Sequence, residues 1–194
     1  MTEPKSKPTV GFLTVVEHPQ YGLFGGYLIL NMTGRPLEFH CTAPIKPNRA
    51  QQILYGPTLE SFLYGEQIGQ TLIGQGAASP LLVCTDREPA LAAREYVPTP
   101  LVLVLPPEAP AATPQIEEAS DAASGKFFRL DAAHHGPKLI TFQLGRNRLA
   151  LPERADEDRR LIAERLTDVA DSFDLTEPFQ RIRDAIEEAQ QAVR

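Results

Sequence analysis

Three stretches of this chain are apolar at nearly every position: VGFLTVV over 10–16, PLLVC at the start of 80–86, and LVLVL over 101–105. A strand with one wet face alternates polar and apolar side chains, whereas a strand covered on both faces does not. These runs therefore read as central strands of a sheet, and the remaining elements must cover it. Between the first two runs, GGYLILN and PLEFHCT flank MTGR, whose turn chemistry fits a hairpin. In the second arm Leu37, Phe39 and Cys41 alternate with Glu38, His40 and Thr42, so one face is apolar and the other polar. Period two places His40 and Cys41 on opposite faces, and the expected inward set is Leu37, Phe39 and Cys41. GLFGG lacks the form of a phosphate-binding loop and reads as the entry to this hairpin.

Helical segments alternate with the strands. Asn48 can cap a short helix over RAQQILY, and Gly56-Pro57 stops it. Thr58 is a candidate cap for the next helix, which runs to about Gly74. Gly65 and Gly69 inside that helix each weaken it by about 1 kcal/mol relative to alanine, which fits a place where another backbone packs closely. On an ideal wheel Leu59, Phe62, Leu63 and Ile73 share a face with Glu66 near its middle, so Glu66 is expected at least partly buried. Glu88–Tyr96 has the composition of a short helix. The order of elements gives an α/β or α+β domain with a mixed sheet over 9–105.

The rest divides by composition. Eighteen prolines are about double the usual share, and four fall between 106 and 114. Residues 106–125 read as a flexible linker, and 1–8 as a polar tail. Over 126–194 the pattern predicts a hairpin of KFFRLD with KLITFQLG, then two amphipathic helices. The first helix carries Leu161, Ile162, Leu166, Val169 and Phe173, and the second carries Phe179, Ile182, Ile186, Ala189 and Val193.

Charge and cysteine usage narrow the function classes. The net charge of −6 disfavours nucleic acid as a partner for the whole surface. Locally, Lys126, Arg129, Lys138, Arg146 and Arg148 against Asp131 give +4 over 126–148. With Phe127, Phe128 and Phe142 they form a candidate nucleic-acid-binding stretch, and the acidic helices that follow could instead pair with it. No run is long enough to cross a membrane. Cys41 and Cys84 are the only cysteines; they give no disulfide framework and fit reduced, buried thiols in a cytoplasmic protein. His40, Cys41, Cys84, His134 and His135 have no zinc spacing. No cofactor is called for, except Mg²⁺ if Glu66 and Asp86 meet as a two-carboxylate metal or catalytic site.

Several of these stretches resemble the ribonuclease-H-like fold superfamily over residues 10–105. GGYLILN and GRPLEFHC look like its second and third strands, PNRAQQ like the opening of its first helix, and LLVCTD like its fourth strand. The resemblance implies nucleic-acid cleavage with Mg²⁺ held by acidic side chains, and Asp86 matches the strand-four aspartate. The family glutamate falls on Gln51, however, and the first-strand aspartate has no counterpart, the nearest acid being Glu17. The match is thus to a degenerate, non-catalytic copy. Roadblock- and longin-like interaction domains share the sheet–hairpin–helix opening. The expected function is accordingly protein–protein contact, with a protein partner or a second copy docking on the C-terminal helices. The alternatives are a metal-dependent nuclease or phosphotransfer enzyme using Glu66 and Asp86, and a small-molecule-binding module with Glu66 in its pocket.

Overall fold

In the computed structural model, residues 8–107, 138–166 and 174–191 are described. Seven strands form one mixed sheet in the order β3-β2-β1-β4-β5-β7-β6. They are β1 (Thr9–His18), β2 (Gly22–Asn31), β3 (Pro36–Cys41), β4 (Val83–Thr85), β5 (Leu101–Leu105), β6 (Leu139–Leu144) and β7 (Asn147–Pro152). β1, β4 and β5 are the three apolar runs, and they lie side by side and parallel. The other pairings are antiparallel. The α/β class with a mixed sheet is as the sequence predicts.

The separation of the chain into an N-terminal domain and a C-terminal appendage is not what forms. β7 pairs with β5 and extends the same sheet. The hairpin also differs from expectation: KLITFQLG pairs with NRLALP around a turn at Gly145 (φ 55°). KFFRLD, residues 108–125 of the expected linker and residues 1–7 lie outside the described residues.

Both faces of the sheet are covered. On one face lie Phe12, Leu28, Leu30, Cys84, Val102, Leu149 and Leu151, packed by Phe179, Ile182 and Ile186 of α5 (Glu177–Gln191) and Ile162 of α4 (Asp156–Leu166). Phe12 and Phe179 meet edge to face at 5.7 Å. Each fully buried side chain of α5 contributes roughly 1.5–3 kcal/mol by removing apolar surface from water. The stripe read as a docking face, Phe179-Ile182-Ile186, therefore covers the chain's own sheet, while Ala189 is exposed. Val169, Phe173 and Val193 lie outside the described residues.

The opposite face carries Leu13, Val15, Tyr27, Ile29, Val83, Leu101 and Leu103 beneath a long helical rod and a 3-10 helix (Glu88–Glu95). The rod comprises α2 (Leu59–Ser61), a π-helix (Phe62–Gln70) and α3 (Thr71–Gln75). Ahead of it, α1 (Arg49–Tyr55) is capped as expected: Asn48 and Gln51 form a reciprocal capping box. Thr58 does not cap the rod, because its hydroxyl donates to the Tyr55 carbonyl instead.

GLFGG opens the hairpin, as expected, as the first five residues of its first arm. It lies inside β2, and its last two glycines face opposite sides of the sheet. A Cβ on Gly25 would come within 2.2 Å of Ile68 in the rod, and one on Gly26 within 2.2 Å of Ile182 in α5. The pair thus lets a helix approach the same strand from each side. Gly65 and Gly69 do the expected work in the rod, where a Cβ would meet Ala92 at 2.6 Å and Ala93 at 2.8 Å.

Candidate functional site

Glu66 and Asp86 do not come together. Glu66 belongs to the rod and sits half-buried at its rim, accepting a hydrogen bond from the Tyr96 hydroxyl at 3.2 Å. Its partner lies beside the 3-10 helix rather than in the sheet. Glu66 is thus partly buried, as expected, but at the edge of the buried face: Tyr64, Ile68 and Leu72, spaced at i, i+4 and i+8, form the stripe that meets the sheet. The buried residues are Leu63, Tyr64, Gly65, Ile68, Gly69 and Leu72, whereas Leu59, Phe62 and Ile73 are only partly buried.

Asp86 follows β4 and turns to the other face. It accepts from the Thr14 hydroxyl at 2.6 Å and pairs with Arg183 of α5. Its role is to tie α5 to the ends of β1 and β4. Glu17, the nearest acid to the missing first-strand position, accepts from the Tyr64 hydroxyl at 2.6 Å. Burial and the adjacent carboxylate push the Tyr64 hydroxyl well above its ordinary range. Each carboxylate is thus engaged with its own partner, Glu66 and Glu17 on the side of the rod and Asp86 on that of α5. Among the described residues no group of three or more His, Cys, Asp or Glu could hold a metal ion. The donor set does not fit a two-carboxylate Mg²⁺ centre, so no step is derived through one.

The described residues line clefts beside two of the helices. One, of about 410 Å³, runs beside α5 past His18, Arg183 and Gln190. Another, about 700 Å³, lies between α3 and the Tyr96–Thr99 segment. Glu66 lines neither. Of the basic stretch, Lys138 and Arg146 are exposed and Arg148 is half-buried on β7; Lys126 and Arg129 lie outside the described residues. Asp174 is held below the ordinary carboxylate range by hydrogen bonds from the Thr176 hydroxyl and amide, with Arg146 adding its charge.

The least expected surface is β3. His40 and Cys41 do lie on opposite sides, but the faces are inverted. Cys41 is exposed, Leu37 is 50% exposed and Phe39 40%. Glu38 and His40 are the partly buried pair. The reason lies just beyond α3. The amides of Ala77 and Ala78 donate to Glu38 at 2.9 and 2.8 Å, and His40 meets the same carboxylate at 3.1 Å. These bonds, His40 first, hold Glu38 below its ordinary pKa. His40 also stacks against Tyr27, with ring centroids 6.4 Å apart. These contacts with the segment that follows α3 hold the polar side inward, since Glu38 finds its donors there.

Among the described residues β3 is also the end strand of the sheet. The Thr42 amide bonds to the Gly25 carbonyl, so ladder alternation turns the backbone groups of Cys41 and Phe39 to the open side. A second exposed apolar group is on α1, where Ile53 is 65% and Leu54 81% exposed and no residue is buried. Compared with known proteins, the sequence matches no family and no curated relative.

Proposed function

We propose that this chain is a non-catalytic, cytoplasmic protein-interaction module that docks its partner along β3. The observation that carries the reading is an end strand whose outward side chains are Leu37, Phe39 and Cys41. Natural sheet edges are usually blunted by charge, proline or a covering segment. Here the polar residues face inward, and the open side offers backbone hydrogen bonds beside apolar side chains, the combination used in strand addition. Separation of Glu66 from Asp86, each with its own partner, supports the non-catalytic side of the reading. The element order over 10–105, three strands, helix, strand, helix, strand, supports a ribonuclease-H-like scaffold that lacks the acid set. No helix among the described residues is long and apolar enough to cross a membrane.

The test compares the intact chain with Phe39→Lys, each immobilised and exposed to extract of the source cells. Proteins retained by the native chain should be lost from the variant, with an unchanged circular dichroism spectrum. Equal retention by both would remove β3 as the docking strand. Hydrolysis of nucleic acid that requires Mg²⁺ and is lost in Asp86→Asn would overturn the non-catalytic reading.

A further inference from the structure

We infer that the occupant of the β3 edge is a second copy of this chain, paired antiparallel with Phe39 opposite Phe39 across a two-fold axis. The inference rests on the docking role of β3 and names its partner. A two-fold interface must be self-complementary, because the same patch meets itself. Backbone groups that point outward must face others that point outward, which leaves few registers for two antiparallel copies of this strand.

Charge chooses among them. Centring on Phe39 sets Glu38 of each copy opposite His40 of the other, and Leu37 opposite Cys41. Centring on Glu38 sets two carboxylates face to face, centring on His40 sets two imidazoles face to face, and centring on Leu37 or Cys41, near the ends of the six-residue strand, leaves about half of it unpaired. Two carboxylates directly across a ladder weaken it, whereas a carboxylate opposite an imidazole meets a ring N–H that can donate to it. The Phe39 register also places the exposed side chains Leu37, Phe39 and Cys41 along one apolar seam. The register shift between Ile29 and Leu30 bends β3 near Pro36, so the paired stretch is short and the dimer weak.

The experiment measures sedimentation of the full chain over a range of concentrations, with a cross-link that reads the register. The native chain should show a concentration-dependent monomer–dimer equilibrium. Phe39→Lys places two ammonium groups together on the axis and should weaken dimerisation by about tenfold or more. Leu37→Cys should form a covalent dimer with the native Cys41 of the second copy under mild oxidation. The same substitution combined with Cys41→Ser should not. Within one chain those two positions are four residues apart along an extended strand, roughly 13 Å, too far for a disulfide. Cys84 is buried and does not compete.

A native chain that stays monomeric at every concentration overturns the inference, as does a dimer indifferent to Phe39→Lys. If the monomer nevertheless retains another protein in a Phe39-dependent way, the docking role of β3 stands and only the second copy falls. If neither self-association nor retention responds to Phe39→Lys, both fall. A dimer without the Leu37→Cys cross-link overturns the register.

Discussion

The two ends of the sheet are built in opposite ways. At one end, β6 shows Thr141 and Gln143 to solvent and turns Leu144 inward. At the other, β3 shows Leu37, Phe39 and Cys41 and turns Glu38 and His40 inward. Both strands are six residues long and each is the second or first arm of an antiparallel hairpin, so neither length nor connection explains the contrast. What differs is the neighbour on each face. β3 runs past the end of α3, where the amides of Ala77 and Ala78 donate to Glu38, while α5 packs over β1 and β2. An edge strand therefore takes its polarity from whatever ends beside it, as well as from its own pattern.

The comparison presumes that both edges hang on one packed interior. Gly26→Val tests this with the largest effect. The added Cβ would lie 2.2 Å from Ile182, inside contact distance, so α5 must move off β2. A loss of about 3 kcal/mol in urea unfolding is expected. A loss below about 0.5 kcal/mol would mean that α5 is not held against β2 as described.

Next comes the attachment of α4, which follows the β6–β7 hairpin. Arg94 clasps Asp158 of α4 through two bonds, at 2.7 and 3.1 Å, and the carboxylate is buried. Asp158→Ala should cost about 1–2 kcal/mol, less than a fully buried pair because Arg94 is partly solvated. Thermal melting at low and high salt checks this, and a buried pair predicts little salt dependence.

On the β3 side the effect is smaller and depends on pH. Glu38 has its pKa lowered on folding, chiefly by His40 and then by the Ala77 amide. A carboxylate shifted this way stabilises the fold above its ordinary value of 4.5 and loses that contribution as pH falls through the lowered folded value. Solvent screening keeps the contribution to well under about 1 kcal/mol. In Glu38→Gln this part of the acid loss should vanish from melting temperatures taken across that range. A profile parallel to the native one would break the account of why β3 is inverted.

The smallest effects are expected at the rims. Phe39→Thr and Glu66→Gln should each change monomer stability by no more than about 0.5 kcal/mol, since both side chains are partly solvated. Thr141→Phe gives β6 the outward character of β3. If apolar edge residues suffice for association, this variant should self-associate more strongly than the native chain in light scattering.

Much of the fold was legible from local chemistry. Asn48 had the means to cap α1, and Pro57 cannot continue a helix. Uninterrupted apolar runs require cover on both sides, which placed β1, β4 and β5 at the centre. Gly65 and Gly69 implied a close neighbour, because only that offsets their cost in a helix. The faces were not legible. Alternation over residues 37–42 establishes that β3 has two unlike sides, but it is blind to which one meets the amides of residues 77 and 78, some forty positions away. The rod offers two apolar stripes, Leu59-Phe62-Leu63-Ile73 and Tyr64-Ile68-Leu72, and a wheel cannot say which one the sheet takes; the second is buried, and Glu66 stays half-buried at its edge. β7 was missed because its pairing with β5 is a long-range contact, and NRLALP by itself is as compatible with a turn into a helix as with a strand. Sequence determined what each segment could become and where it must stop. Tertiary structure decided which surfaces met, because burial and hydrogen-bond satisfaction are settled between segments.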